Sequence, residues 1–155
     1  DYSSSYSSFG KSIAMNQKRL VVGGIFIDAK DGQEQEAVYV FENNNDELSE
    51  QHKIVLDHND GTTTTTGFGE SLVLGDDHIL IAAKNANAER GAVYVYSKDY
   101  KLVQTLEASD RETSDVMHFG RSLAMDNQKL VIACRKPQDE DLGWVYLWEQ
   151  LQQQQ

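Results

Sequence analysis

A single cysteine, Cys134, is all the thiol chemistry this 155-residue chain has. One cysteine excludes an internal disulfide framework and any cysteine-rich zinc site, while leaving the redox compartment open. Long apolar runs are also lacking. None approaches the roughly 20 residues a helix needs to cross a bilayer, so membrane insertion is not expected. Basic residues are scarce: 14 stand against 25 acidic ones, for a net charge of −11. That balance argues against nucleic acid, whose phosphates need a basic surface. The acidity reads first as a solvated surface, with cation binding or an acidic contact surface as the other readings. The chain opens on Asp1 rather than Met and has no signal-like stretch, so it reads as a processed product or a segment of something longer.

Catalytic signatures are missing too. There is no Gly-x-Ser-x-Gly elbow, P-loop or dinucleotide fingerprint. His52, His58, His78 and His118 form no ligand pair at helical or strand spacing. The acidic stretch Gln138–Gly143 reads as a solvated turn. "SSSYSS", "NNND", "TTTTT" and "QQQQ" are low-complexity tracts expected in loops or tails.

What is present is repetition. Phe-Gly-x-Ser falls at Phe9, Gly10 and Ser12, at Phe68, Gly69 and Ser71, and at Phe119, Gly120 and Ser122. A second marker, Val-Tyr-Val or Val-Tyr-Leu, begins at Val38, Val93 and Val145. Phenylalanine-to-valine separations are 29, 25 and 26 residues, and valine-to-phenylalanine separations are 30 and 26. The extra residues of the first repeat lie in the polar stretches "DAKDGQEQE" and "HNDGTTTTTG", as surface-loop insertions do.

Alternation and turn residues place strands at about Ser12–Met15, Arg19–Gly23, Ala37–Glu42 and Lys53–Leu56 in the first repeat. The second repeat offers about Ser71–Leu74, His78–Ala82, Ala92–Ser97 and Leu102–Leu106. The third offers Ser122–Met125, Lys129–Ala133 and Trp144–Glu149, with no fourth strand before the polar tail 150–155. The short polar turns "NQK", "GDD" and "DNQ" suit hairpins. "VYVF", "VYVY" and "VYLW" are apolar on both faces, so each sheet needs a neighbour on either side. Four short antiparallel strands per unit, covered on both faces and repeated in a row, describe an all-β chain of β-propeller blades. Solenoids compete, but their usual periods are shorter or helical. The blades span about 8–58, 67–108 and 118–149.

The pattern resembles the FG-GAP repeat of integrin-type propellers, and most of all its calcium-free variety. The residues that carry the resemblance are the three Phe-Gly-x-Ser elements, then "LVVGGI", "LIAAK" and "LVIACRKP", then "EAVYVF", "GAVYVY" and "GWVYLW". "LEASD" before the third copy matches the usual linker. The likeness covers about residues 8 to 149. Many members carry an Asp-x-Asp-x-Asp-Gly calcium loop between the first two strands. Here that place holds "NQKR", "GDDH" and "DNQK", too poor in oxygen ligands for Ca²⁺, so neither metal nor cofactor is expected. "DHNDG" at Asp57–Gly61 lies out of register between blades.

The repeated joint reads as packing. Phe is a wedge between sheets, Gly permits a bend or close approach, and Ser satisfies a backbone group where its strand begins. The small pairs Gly23-Gly24, Ala82-Ala83 and Ala133-Cys134 let blades crowd together. Trp144 stands where the other repeats have Ala37 and Ala92, either because a neighbouring blade makes room or because it is a contact residue. Closed propellers usually have four to eight blades. Three would leave two apolar flanks bare, so further blades of a longer polypeptide or a homo-oligomer must complete the ring. The expected role is a non-enzymatic module for protein contact, adhesion or assembly. An extracellular or cell-surface location is implied by the resemblance alone. A carbohydrate-binding propeller is the alternative, and a hydrolase with carboxylates gathered on the axis a third.

Overall fold

The computed structural model describes residues 8–27, 32, 34–44, 47–56, 66–108, 117–126, 129–135 and 143–148. The Asp57–Gly61 stretch, His58, residues 138–142 of the acidic stretch and the tail 150–155 lie outside them.

The described residues form three antiparallel meanders. The first sheet joins β1 (Ser12–Met15), β2 (Arg19–Ile27), β3 (Glu34–Asn44) and β4 (Glu47–Val55) in chain order. The second joins β5 (Phe68–Leu74), β6 (His78–Ala83), β7 (Ala92–Ser97) and β8 (Leu102–Leu106). The third, of three strands, joins β9 (Ser122–Asp126), β10 (Lys129–Arg135) and β11 (Gly143–Trp148). The molecule is thus a run of propeller blades, as the doubly apolar strands require.

Several strands outrun their sequence outline. β2 and β3 stay paired to Ile27 and Glu34, and β4 begins at Glu47. β5 starts at Phe68, so the second Phe-Gly lies inside the strand, with a register shift between Phe68 and Leu72. A four-residue turn, α1 (Ala86–Glu89), sits between β6 and β7. It is no ordinary helix: Asn87, Ala88 and Glu89 all have positive φ, at 54°, 57° and 65°.

Strand pairing gives each sheet two distinct apolar faces, and the cores lie between sheets. Val21, Val38, Val40 and Ile54 of blade 1 meet Phe68, Ile79, Ile81, Ala92 and Tyr96 of blade 2. Leu80, Ala82, Val93, Val95 and Leu106 of blade 2 meet Phe119, Leu130, Ile132 and Cys134 of blade 3. The valines of the second marker in blades 1 and 2 therefore point forward to the next blade, while its aromatic residues in blades 2 and 3 point back to the previous one. Cys134 is buried in this packing.

Candidate interaction surface

The joint between blades explains why its two sequence markers travel together. In each blade the Phe-Gly phenylalanine meets edge-on the tyrosine of its own second marker. Phe9–Tyr39, Phe68–Tyr94 and Phe119–Tyr146 have ring centroids 5.5, 5.9 and 5.4 Å apart, with planes tilted by 68°, 63° and 69°. Such T-shaped pairs stabilise beyond their buried area. The phenylalanine is the wedge, and the tyrosine is the surface it leans on.

The glycine follows at φ of 89°, 82° and 89° for Gly10, Gly69 and Gly120, a region that L side chains rarely adopt. At Gly69 and Gly120 it brings the backbone onto the blade before. A Cβ on Gly69 would lie 3.0 Å from Val38, 3.4 Å from the Gly23 Cα and 3.6 Å from the Ala37 carbonyl oxygen. A Cβ on Gly120 would lie 3.0 Å from Ala82, 3.1 Å from Val93 and 3.3 Å from the Ala92 carbonyl oxygen. The seat is the same at both joints.

The serine reaches forward. Ser12 donates its hydroxyl to the Gly69 carbonyl of blade 2, and the Ser71 hydroxyl accepts the Leu123 N–H of blade 3 at 3.1 Å. Both bonds tie one blade to the next, where local reasoning places a cap on the serine's own strand. Ser122 is exposed. The small pairs divide the work: Gly23 gives way to the Gly69 carbonyl, while a Cβ on Gly24 would lie 2.9 Å from the Cα of its own blade's Phe9.

Two ties lie outside the signature. Glu36, buried, projects its carboxylate from β3 into the start of blade 2. It accepts the Thr66 N–H at 2.8 Å, the Thr66 hydroxyl at 2.8 Å, the Gly67 N–H at 2.9 Å and the Phe68 N–H at 3.1 Å. At the second joint backbone carbonyls do that work: Glu89 O accepts from Met117 and His118, and Arg90 O accepts from Phe119. The positive φ of the α1 turn aims those carbonyls. Arg19, buried on β2, donates from Nη2 to the Asp76 carbonyl at 2.6 Å, pinning the β5–β6 turn.

Charges cluster at the joint. Glu70 pairs with Lys11 of blade 1 and with Lys84, each at 2.5 Å. Burial alone would raise its pKa, but the two ammonium groups outweigh it and hold the carboxyl below its ordinary value. His118, at φ 46° before Phe119, is held below its ordinary 6.5 by burial first and then by Lys84; Arg121 adds to this, while Glu89 and Glu70 oppose it. The unfolded chain therefore takes up this proton first on acidification, and stability falls as the pH drops from about 6.5 toward the folded value. Chemical denaturation from about pH 8 to pH 5 checks this. His118→Asn, whose side chain tolerates positive φ, is expected to flatten that part of the profile. An unchanged slope would remove His118 as its source. Glu70 adds a lower step, its stabilisation present above 4.5 and lost as pH falls through the folded value.

The ends of the row show the same joint unseated. Phe68 and Phe119 are 3% and 0% exposed, whereas Phe9 is 47% exposed and a Cβ on Gly10 would meet nothing within 4 Å. Ile13 and Met15, beside it on β1, are 62% and 74% exposed. Ala37 and Tyr39 of the same blade are buried. At the other end, Val38, Val40, Val93 and Val95 are all fully buried, but Val145 and Leu147 are 70% and 57% exposed. Trp144, opposite Cys134 on β10, is 39% exposed, where Ala37 and Ala92 are fully buried. It shares the Cys134 face and not that of Val145.

Other surfaces offer less. A cavity of about 240 Å³ beside the second joint is lined by Asn87, Arg90, Gly91, Glu107, Ala108 and Met117. Among the described residues no three His, Cys, Asp or Glu side chains group as metal ligands, and no helix is long and apolar enough to cross a membrane.

No curated protein matches the chain. The family model of the FG-GAP repeat matches residues 3–41, the segment that runs from before Phe9 through the first Val-Tyr-Val. Over residues 3–41 the chain is thus similar to an FG-GAP repeat, and blades 2 and 3 are built on the same joint as blade 1.

Proposed function

We propose that the chain is a non-enzymatic interaction module, a row of FG-GAP blades that works by side-by-side contact with protein, in adhesion or assembly outside the cell. One observation carries this: a joint that is closed twice inside the molecule leaves apolar surface exposed at both ends of the described row, with Phe9 47% exposed at one and Val145 and Leu147 70% and 57% exposed at the other. Exposed apolar surface arranged as half of a known contact fits a protein better than a sugar or a small substrate. The extracellular setting rests on the FG-GAP resemblance.

A photo-reactive phenylalanine analogue at Leu147, irradiated in cells that make the native polypeptide, tests it. Covalent adducts to protein are expected. Adducts to glycan alone, together with glycan-array binding lost in Trp144→Ala, would replace this reading with the carbohydrate-binding one.

A further inference from the structure

The second joint accounts for only part of the α1 turn. Glu89 and Arg90 lend it their carbonyls, which hold Met117, His118 and Phe119. Asn87 and Ala88 lend it no backbone bond among the described residues, yet they too have positive φ, at 54° and 57°, which disfavours side chains other than glycine. What Asn87 does reach is Glu107, whose Oε1 accepts its side-chain amide at 2.8 Å. That bond joins the turn to the chain just past β8, and both residues line the 240 Å³ cavity. Arg90 lines it too. Opposite charges thus share one small cavity, and among the described residues neither Arg90 nor Glu107 has an ion-pair partner. Gly91, also on the wall, is bridged to Phe119, so the joint itself fixes that side.

We propose that this cavity binds a small zwitterion of the α-amino-acid class. Arg90 takes the carboxylate, to which a guanidinium can offer two parallel N–H donors. Glu107 holds the Asn87 amide with one oxygen and takes the ammonium group with the other. The two charges select the class. Glu107 repels a simple anion and Arg90 a simple cation, whereas a molecule that carries both charges satisfies each wall. Volume sets the size: 240 Å³ is the liquid volume of about eight waters. That is below the roughly 300–1,000 Å³ of pockets for drug-sized ligands. The strain at Asn87 then has a use, because the left-handed turn carries the amide that holds the Glu107 carboxylate at the wall. None of these residues belongs to the exposed ends of the row, so the site stands or falls independently of the protein-contact reading.

The test is an amide-resolved NMR titration of the full chain with each common L-amino acid, to about 10 mM. At least one is expected to give saturable shifts at Gly91, Glu107 and Ala108 with a Kd of about 1 mM or below, the scale for so small a ligand. Val21 and Val40, in the first joint, should keep their positions. The N-acetyl derivative of that amino acid lacks the ammonium group, and its amide derivative lacks the carboxylate. Each is expected to bind at least about 10-fold more weakly, and Arg90→Gln and Glu107→Gln are expected to weaken binding of the parent by the same factor. Glu107→Gln keeps an oxygen for the Asn87 amide, so the turn stays tied. A cavity that holds water only, with no saturable shift from any amino acid at about 10 mM, would overturn the proposal. So would a derivative that binds as tightly as its parent, or binding left unchanged by either substitution.

Discussion

Gly91→Ala is expected to cost about 3–5 kcal/mol of stability, the most for a methyl added at any of the described glycines. Two penalties add there. At φ 84° Gly91 lies where a Cβ is strained whatever the surroundings. The added carbon would also fall on the carbonyl oxygen and amide nitrogen of Phe119, which are backbone and cannot swing aside. Gly91 and Phe119 form a parallel bridge, the point at which blade 3's wedge touches the main chain of blade 2. Gly10→Ala separates the two terms, because Gly10 has φ 89° and open space around the would-be Cβ. It is expected to cost about 1–2 kcal/mol, the backbone strain alone. Both are best measured by urea denaturation. Equal costs would mean that the close approach at Phe119 is not rigid.

The parts of this architecture that were legible in the sequence are those that repeat or alternate. β1, β7 and β8 have the extents that alternation assigns them, because each carries an apolar pattern bounded by polar turn residues. β4 was legible only at its end. Its first five residues, Glu47–Gln51, are polar except for Leu48, which is itself exposed, and a strand with no buried face has no period to read. The outer part of the β2–β3 hairpin was hidden by composition instead, because its polar Glu34–Glu36 side reads as a loop insertion. The α1 turn was hidden for a different reason. "NANAE" is neutral or helix-favouring by propensity, and its left-handed backbone goes with the hydrogen bonds that Glu89 accepts from residues 117 and 118. The serine's role was half visible: its recurrence was plain, but its partner lies in the following blade, 57 residues away for Ser12 and 52 for Ser71. Glu36 was missed altogether, although a signal existed. The residue two before the second marker is Glu36, Gly91 and Gly143 in turn, so the first repeat alone carries a charge where the backbones come closest.

That charge is the subject of the second large effect. Glu36→Ala is expected to destabilise the chain by about 3 kcal/mol. The carboxylate is nine-tenths buried and is the acceptor for three consecutive amides, Thr66, Gly67 and Phe68, all in buried residues. Truncation leaves donors without an acceptor in a place water reaches poorly, and that loss outweighs a typical net hydrogen bond of about 1 kcal/mol. Glu36→Gln is the sharper variant because it keeps shape and volume. Its amide retains one acceptor oxygen but turns an NH₂ toward amides that are themselves donors, so about 2 kcal/mol is expected to remain lost. The damage is local to one joint. Amide exchange should speed up at residues 66–68, while Phe119, whose N–H is held by the Arg90 carbonyl, keeps its protection. Phe68 would then loosen as a wedge while Phe119 stays seated. A cost below about 1 kcal/mol, or exchange accelerated equally at both joints, would mean that the apolar faces hold blades 1 and 2 together without the Glu36 clamp.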